Sequence, residues 1–469
     1  MPRVLMVAAE AAPFAKTGGL ADVMGSLPPA LVKLGEQVAV VMPRYASAQI
    51  TMPERIWDAM PLFVGSHMFV VAIDQIIAGG VRYLFVDYPP FYGRPGIYGQ
   101  SGRDYADNHL RFAVLNQAAI GVARSIFRTD IFHAHDWQAG LIAPYLRENF
   151  ATDPTFLGAK SIFTIHNMGY QGNFPPSALA DLGLNRGLFH PEGLEFWGQV
   201  SFLKAAIVWS DAITTVSPTY AKEIQTLEYG AGMDGLLRAR ASKITGILNG
   251  CDYSEWDPEK DPYLVAPYTA NDLSGKRADK RALLEEMGLP VNEARPLIGI
   301  VSRFVGQKGF DLIEDIAGEL GGEDMALVAL GSGEPRFEAM FRVLAKTYPE
   351  KFAAVIGYDN ALAHRIEAGA DMFLMPSRYE PCGLNQMYSL RYGAVPIVRA
   401  TGGLDDTVDE TTGFKFREYT GEALLGAIRD ALAAWKDREA WEARMRLGMA
   451  RDFSWDASAA EYKRLYQSL

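Results

Sequence analysis

A short apolar strand, a loop marked by glycine or proline, and an amphipathic helix recur along most of this 469-residue chain. The first series of strand-like segments contains RVLMVAAE, QVAVVMP, DIFHAHD, KSIFTIHN, AITTVSP and KITGILNG. A second series starts at residue 297 with PLIGIVSRF, MALVALGSG, FAAVIGYD, ADMFLMPSR and AVPIVRATGG. Continuous apolar strands that alternate with helices are typical of parallel sheets covered on both faces. The pattern therefore predicts two similar α/β halves.

The division between the halves is predicted from the segment of about 250 to 290. This segment is rich in Pro, Asp and Tyr and lacks a clear period, and the chain is longer than the roughly 250–300 residues that one core supports. We predict one domain over residues 1–245, a second over 246–453, and a C-terminal helix over 454–469. That helix can pack against either domain, the N-terminal one included.

Local signals within the first half predict a helix and a hairpin. The sequence LADVMGSLPPALVKLG reads as a helix that Pro28 and Pro29 kink. Strands over 68–73 and 81–86 flank Gly79-Gly80, which is typical of a hairpin turn. The opening apolar run VLMVAA is shorter than the ~7–15 residues of a signal-peptide core, so we expect a buried first strand there.

Charge and cysteine content exclude several classes of function. The formal net charge of −11 and a pI near 5.3 disfavour a nucleic-acid partner. Cys251 and Cys382 are too few for a disulfide framework and form no C-x-x-C motif, which favours a reducing cytoplasm. No apolar run reaches the ~18 residues of a membrane span, so no membrane partner is expected.

The tetrapeptide TGGL occurs at 17–20 and again at 401–404, each time directly after a predicted strand and its loop. In open parallel sheets, ligands bind at the carboxyl ends of the strands, so we expect the two halves to share one cleft. Glycine pairs at helix starts suit an anion, and Lys16, Arg303 and Lys308 lie in the same kind of loop. Three cations and two helix starts predict a pyrophosphate ligand.

Further polar residues follow other strands. Glu380 in SRYEPCGLNQ can hold sugar hydroxyls, act as a nucleophile, or cap the next helix, and the residues alone do not choose between the first two. Asp136 and the pair His166-Asn167 are candidates for binding a polyol, whereas His133 and His135 fit a functional role and a core role equally well. Three aromatic residues in or beside these loops are candidates for stacking on a base or sugar: Tyr98, Trp137 and Tyr358.

The sequence contains no motif for two classes of binding site. No histidine or carboxylate spacing indicates a zinc, magnesium or calcium site. The dinucleotide fingerprint G-x-G-x-x-G fails at GSGEPRF, where Arg336 stands in place of the third glycine, so a nicotinamide oxidoreductase is disfavoured.

Seven motifs in order resemble the glycogen synthase and starch synthase family. They are KTGGLADV, HAHDWQAGL, TIHNMGYQG, ILNGCD, SRFVGQKGFDL, PSRYEPCGLNQMYSLRYG and TGGLDDTV. The resemblance implies an α/β fold of two Rossmann-like, doubly wound domains facing across a cleft, the GT-B glycosyltransferase fold. It implies a retaining transfer of glucose from ADP-glucose to the 4-OH at the non-reducing end of glycogen or another α-1,4-glucan. It also implies that no metal or other cofactor takes part.

The resemblance assigns roles to residues that match the motifs. Glu380, His166, Arg303 and Lys308 are implied as catalytic, with the two cations neutralising the departing diphosphate and Tyr358 stacking on adenine. The residues implied to line the ADP-glucose site are Lys16, Gly18, Gly19, Asp22, Asp136, Asn167, Asn249, Tyr358, Cys382, Gly383, Leu384, Thr401, Gly402 and Gly403. Tyr388 stands where many retaining enzymes of this fold carry a second glutamate, so a same-face substitution is favoured over a double displacement.

Two alternatives stay open from the sequence. A glucan phosphorylase would need a lysine that binds pyridoxal phosphate, and no motif marks one. A two-domain sugar-binding protein would have similar halves but would not require Lys16, Arg303 and Lys308 together. Donor preference for ADP-glucose over UDP-glucose is implied by the family and by no single residue.

Overall fold

A computed structural model describes residues 2–469, which form two compact units. The first unit contains the chain up to Val216, the segment Ala221–Gly250 and the C-terminal segment Trp455–Leu469. The second contains Ser217–Tyr220 and Cys251–Ser454. The change of unit thus falls after Gly250 rather than after residue 245, and the chain returns to the first unit for its last helix.

The first unit alternates strands and helices. Its strands are β1 (Arg3–Val7), β2 (Gln37–Pro43), β3 (Glu54–Val64), β4 (His67–Ala78), β5 (Val81–Asp87), β6 (Gly99–Gln100), β7 (Arg103–Asp104), β8 (Ile131–His135), β9 (Lys160–Ile165), β10 (Asn173–Phe174), β11 (Glu195–Phe196), β12 (Gln199–Ser201), β13 (Ala212–Thr215) and β14 (Ile244–Gly246). Its helices up to residue 250 are α1 (Gly19–Lys33), α2 (Pro89–Tyr92), α3 (Asn108–Ser125), α4 (Ile142–Pro144), α5 (Ala178–Leu182), α6 (Phe202–Trp209), α7 (Pro218–Glu223), which starts in the second unit, and α8 (Asp234–Ala239).

The second unit repeats the same alternation. Its strands are β15 (Leu297–Val301), β16 (Ala326–Gly331), β17 (Phe352–Ile356), β18 (Met372–Met375), β19 (Val395–Arg399) and β20 (Phe414–Phe416). Its helices are α9 (Ser274–Glu286), α10 (Phe310–Asp315), α11 (Ala317–Gly322), α12 (Pro335–Thr347), α13 (Asn360–Gly369), α14 (Asn385–Arg391), α15 (Gly402–Thr407), α16 (Gly421–Ala434) and α17 (Arg438–Met449). The last helix of the chain, α18 (Trp455–Gln467), belongs to the first unit.

The main sheet of the first unit is parallel over most of its width. Within residues 2–469 its order is β14-β13-β9-β8-β1-β2-β5-β4-β3, and only β3 and β4 run antiparallel to their neighbours. The predicted hairpin is confirmed: β4 and β5 pair across Gly79 and Gly80, whose φ angles of 58° and 79° suit glycine. The edge strand β3 was not predicted.

The sheet of the second unit is parallel throughout its described strands, in the order β17-β16-β15-β18-β19-β20. Strand order therefore reverses between β15 and β18, as it does between β1 and β8 in the first unit. Loops on either side of such a reversal diverge and leave a crevice at the carboxyl ends of the strands, where open α/β sheets bind ligands. Each unit has one such position.

Helix packing explains two features of the termini. Helix α1 continues through Pro28 and Pro29, and its apolar face is buried. Helix α18 packs on α1, with Tyr462 and Tyr466 buried and Lys463 Nζ donating to the carbonyl oxygen of Leu34 at 2.6 Å. Among the described residues no helix is both long and apolar enough to cross a membrane.

Candidate active site

The loop after β1 is held by a buried carboxylate. Glu10 accepts hydrogen bonds from the amide and the hydroxyl of Thr17, the latter at 2.7 Å, and from the hydroxyl of Tyr98. Glu10 is only 3% exposed, so these three donors satisfy a carboxylate that water does not reach freely. The carboxylate thereby fixes the first TGGL loop. Sequence reasoning missed this role, although a glutamate at the end of an apolar strand was a signal for it.

The first TGGL loop leaves an open helix N-terminus. A Cβ placed on Gly18 or Gly19 would meet no atom within 4 Å, and no group in residues 2–469 accepts from the amides of Gly18, Gly19 or Leu20. Helix α1 has fifteen residues, so its partial positive charge at this end is well developed. Lys16 lies beside it and forms an ion pair with Asp22 at 2.6 Å. Two predicted residues, Lys16 and Asp22, are thus brought together.

Asp136 follows β8 in an unusual conformation. Its φ of 55° is rare for a residue other than glycine, and its carboxylate accepts the backbone N–H of His166 at 2.8 Å. Burial raises the pKa of Asp136 to about 7, although the amides of His166 and Asn167 oppose the shift and the charge of Glu10 adds to it. The side-chain oxygen of Asn167 accepts from the amide of Gly169 at 2.8 Å within its own loop. The loops after β8 and β9 are therefore tied together.

Three histidines form a chain behind this point, in which His133 and His135 are buried and His166 is half-buried. Nδ1 of His135 lies 3.0 Å from Nε2 of His166. The two ring nitrogens of His133 contact Oγ1 of Thr164 at 2.6 Å and the hydroxyl of Tyr466 at 2.9 Å. Burial lowers the pKa of His166 and that of His133 to about 3, so both rings are neutral near pH 7. His133 lies within the core, and the part played by Tyr466 of α18 was not predicted.

Two other predicted residues of the first unit are largely buried. Trp137 packs against Phe112 with ring centroids 4.9 Å apart and is 9% exposed, so it is a core residue rather than a stacking surface. Asn249 is 8% exposed, and its Oδ1 is buried without a hydrogen-bond partner in the described chain.

In the second unit, the adjacency of β15 and β18 brings Lys308 and Glu380 together. Lys308 Nζ lies 2.6 Å from Oε2 of Glu380, and the hydroxyl of Ser377 donates to the same oxygen at 3.0 Å. Gly309, with φ 76°, allows this approach because a Cβ there would lie 1.9 Å from the carbonyl oxygen of Pro376. The carboxylate of Glu380 is thus buried, paired and oriented.

Arg303 and Tyr358 follow two strands of the same sheet, β15 and β17, and both are exposed. Arg303 follows β15, and none of residues 2–469 forms an ion pair or side-chain hydrogen bond with it. Tyr358 follows β17 and is 86% exposed, with its hydroxyl 3.4 Å from Oδ1 of Asn360. An exposed cation and an exposed ring are suited to a ligand with phosphate and an aromatic base.

The second TGGL loop packs on the Glu380 segment. The amide of Gly403 donates to the carbonyl oxygen of Glu380 at 3.1 Å and contacts that of Pro381 at 3.2 Å. A Cβ on Gly402 would lie 1.9 Å from the oxygen of Glu380, and one on Gly403 would lie 2.1 Å from the oxygen of Cys382. Close packing of backbone on backbone therefore requires both glycines. Thr401 is the residue directly before α15 and is buried.

The residues after Glu380 complete this segment. The side chain of Cys382 is buried, Gly383 has φ 72°, and Leu384 precedes α14. Tyr388 in α14 stacks on Trp256 with centroids 4.1 Å apart and planes 3° from parallel, and His364 covers the other face of Trp256 at 3.7 Å. The position at which related folds carry a second carboxylate is thus part of an aromatic stack.

The described residues contain no group of three or more His, Cys, Asp or Glu side chains arranged to hold a metal ion. Neither Cys251 nor Cys382 forms a disulfide, and both are buried.

Comparisons with known proteins agree with the two-unit architecture. A family model described as the starch synthase catalytic domain matches residues 3–239, and one described as glycosyl transferases group 1 matches residues 285–447. Among solved structures, the catalytic domain of starch synthase IV from Arabidopsis thaliana, bound to ADP and acarbose, superposes with a TM-score of 0.89 at 34% identity, covering 100% of this chain and 99% of that one. Sucrose-phosphate synthase from Thermosynechococcus elongatus, at 18% identity and TM-score 0.62, shares the fold alone.

Curated sequences give a closer match. The glycogen synthase of Koribacter versatilis is 51% identical over 99% of this chain and 97% of its own length. That of Anaeromyxobacter dehalogenans is 49% identical over 100% and 99% of the two chains. The predicted pair of Rossmann-like domains and the predicted enzyme class are confirmed. The chain belongs to the glycogen synthase and starch synthase family of glycosyltransferases.

Proposed function

We propose that the protein transfers glucose from ADP-glucose to the 4-hydroxyl at the non-reducing end of an α-1,4-glucan, with retention of configuration, and thereby elongates glycogen. The observation that carries the proposal is the pairing of Lys308 with the buried carboxylate of Glu380, in a loop after β15 that also exposes the unpaired Arg303. The relative from Arabidopsis thaliana, bound to ADP and acarbose, supports a nucleoside diphosphate and a saccharide as ligands.

Glu380 is assigned to the donor sugar. Its Oε2 accepts from Lys308 and Ser377, while no group in the described chain donates to its Oε1. A fixed carboxylate with one free oxygen is suited to accepting hydrogen bonds from vicinal sugar hydroxyls. Its neighbours Cys382, Gly383 and Leu384 are assigned to the same side of the sugar.

The diphosphate is assigned to the two cations of the second unit. Arg303 and Lys308 stabilise the charge that grows on the departing ADP. In the first unit, the open amides at Gly18 and Gly19, with Lys16 beside them, are suited to an anionic group of a substrate. Thr401, Gly402 and Gly403 are assigned to the distal phosphate and Tyr358 to adenine. Asp22, Asp136, Asn167 and Asn249 are assigned to the remaining polar lining.

The reaction is a substitution on one face of the sugar. The acceptor 4-hydroxyl oxygen forms a bond to the anomeric carbon as the bond from that carbon to the phosphate oxygen breaks. The acceptor proton passes to that phosphate oxygen, which leaves as ADP. Tyr388 in its stack on Trp256 provides no second carboxylate, which supports this route over a covalent glucosyl-enzyme. The protein's own cations stabilise the leaving group, and the proposal includes no metal or other cofactor.

The test is an assay of the purified chain with glycogen and either ADP-glucose or UDP-glucose. Release of ADP matched by incorporation of glucose into polymer, with UDP-glucose a poor donor, is the expected result. Nucleotide release without incorporation would mean that another acceptor takes the glucose. No release from either donor would overturn the proposal. Unchanged rates after treatment with EDTA are expected, and a loss restored by Mg²⁺ would contradict the metal-free route.

A further inference from the structure

His135 and His166 lie at the ends of two neighbouring strands of the first unit, and one hydrogen bond joins their rings. His135 is the last residue of β8, His166 directly follows β9, and their rings approach with Nδ1 of His135 3.0 Å from Nε2 of His166. His135 is fully buried. Only one of the two nitrogens can carry the hydrogen that joins them, so the contact fixes the tautomer of both rings.

Both rings are neutral. Burial lowers the pKa of His166 to about 3 and that of His135 well below its ordinary value, and neighbouring histidines lower the latter further. Each ring therefore carries one N–H. Either His135 donates through Nδ1, or His166 donates through Nε2 and His135 carries its hydrogen on its own Nε2.

The surroundings of His135 favour the first arrangement. Its Nε2 is buried and has no hydrogen-bond partner in residues 2–469. An N–H there would be an unpaired buried donor, whereas a bare nitrogen leaves only an unpaired lone pair, which costs less free energy. His135 therefore donates from Nδ1, and His166 accepts at Nε2 and keeps its hydrogen at Nδ1.

The ring of His135 is held in this orientation from behind. His133 packs against it with ring centroids 4.1 Å apart, and both nitrogens of His133 are engaged, by Thr164 and by Tyr466 of α18. The charged groups nearest the chain are Asp136, which bonds the backbone of His166, and Glu10 beyond it. None of these groups reaches Nδ1 of His166, which has no partner in the described chain.

We propose that His135 is a positioning residue that fixes His166 as its Nδ1–H tautomer, so that His166 presents a neutral hydrogen-bond donor to an oxygen of the bound sugar nucleotide. His166 then stabilises negative charge or orients a hydroxyl and does not act as a base. The identity of the ligand rests on the proposed function, whereas the tautomer is a property of the free protein.

The first experiment measures the tautomer directly. The full chain, labelled with ¹⁵N-histidine, contains seven histidines, and His166 is assigned by the signal lost in His166→Gln. We expect the Nδ1 of His166 at a protonated and its Nε2 at an unprotonated chemical shift near pH 7. A protonated Nε2 on His166 would overturn the proposal. The measurement needs no activity, so it stands even if the enzyme proves inactive with ADP-glucose.

The second experiment separates positioning from packing. His135→Asn and His135→Leu have side chains of the same branched shape, but only asparagine keeps a donor near the place of Nδ1–H. We expect kcat to fall about tenfold in His135→Leu, with the KM for glycogen little changed and most of the rate restored in His135→Asn. His190→Leu, at an exposed histidine of the same unit, is the control. Equal losses in both variants, or a loss in neither, would overturn the proposal.

Discussion

Lys308 Nζ lies 2.6 Å from Oε2 of Glu380, although 72 residues separate them in the chain. The contact exists because β15 and β18 are neighbours in the sheet, so the loops that follow them meet. The side chains are 20% and 7% exposed, so water screens the attraction between their opposite charges only weakly. Arg303, which has no such partner in the described chain, is the surplus cation available to a diphosphate.

Replacing Lys308 with alanine is expected to impair both catalysis and stability. The variant loses a cation at the leaving group and leaves the carboxylate of Glu380 buried without its partner. We expect kcat to fall about a hundredfold and the midpoint of thermal unfolding to decrease. Steady-state kinetics and thermal denaturation measure the two effects, with Lys346→Ala, an exposed lysine of α12, as the control. Wild-type kcat in Lys308→Ala would remove Lys308 from the mechanism.

Arg303→Ala is expected to separate the two effects. Its guanidinium is exposed and unpaired in the described chain, so its removal breaks no contact that stabilises the fold. We expect kcat to fall on the order of a hundredfold, as for loss of any one leaving-group donor, while the unfolding midpoint stays within error of wild type. A lower unfolding midpoint together with a wild-type kcat in Arg303→Ala would contradict both expectations.

A second carboxylate at position 388 is expected to harm the enzyme. Tyr388→Glu would remove a ring stacked at 4.1 Å on Trp256 and place a charge in a half-buried position, which should cost about 2 kcal/mol of stability. We expect no gain in kcat, because a single-step substitution uses no such group. Tyr388→Phe, which keeps the ring, should retain most of the stability. An increase in kcat in Tyr388→Glu would support a double displacement instead.

The sequence was sufficient for the elements whose signal is local. Apolar runs located β1, β8, β9 and β15, and Gly79-Gly80 located the hairpin. The helix α9 was missed because its sequence, SGKRADKRALLEE, is highly charged and lies in a segment that otherwise lacks a period. The strand β3 was missed because half of its residues face outward and interrupt the apolar run.

The site could be predicted as a set of residues but not as a set of contacts. Strand-end placement and the family motifs selected Lys308, Glu380 and His166. Their partners depend on sheet order and on packing between distant segments, as for Ser377 beside Glu380 and Tyr466 beside His133. The glycines of the second TGGL loop were selected for a ligand, whereas the structure shows that backbone packing also requires them.

Removing one hydroxyl from the C-terminal helix is expected to lower stability measurably. Tyr466→Phe deletes the partner of His133 Nδ1 at 2.9 Å and leaves that nitrogen buried without a hydrogen bond. We expect the free energy of unfolding to decrease by about 1 kcal/mol. Urea denaturation measures it, with Tyr170→Phe, at a tyrosine that is 56% exposed, as the control. Equal stability of Tyr466→Phe and wild type would show that the contact contributes nothing net.

Asp136 is expected to make the fold less stable as pH rises from about 4 to 7. Burial raises the pKa of Asp136 from its ordinary value of 3.8 to about 7 in the folded protein, so between these values the folded state holds a proton that the unfolded state has released. Stability linked to this group is therefore fully present below pH 3.8 and is lost as pH rises through 7. Asp136→Asn is neutral throughout and should escape the loss.

The difference in unfolding free energy between Asp136→Asn and wild type should accordingly rise between pH 4 and 7, by about 2–4 kcal/mol, and level off above. Urea denaturation at each pH measures this difference and cancels the titration of the buried histidines, which both proteins share. Asp153→Asn is a control of opposite sign. Hydrogen bonds from Thr155 and Arg124 lower the pKa of Asp153, so the stability of that variant relative to wild type should fall as pH rises towards about 4 and stay level from pH 4 to 7. A difference for Asp136→Asn that stays flat from pH 4 to 7 would mean that Asp136 is ionised within the folded protein.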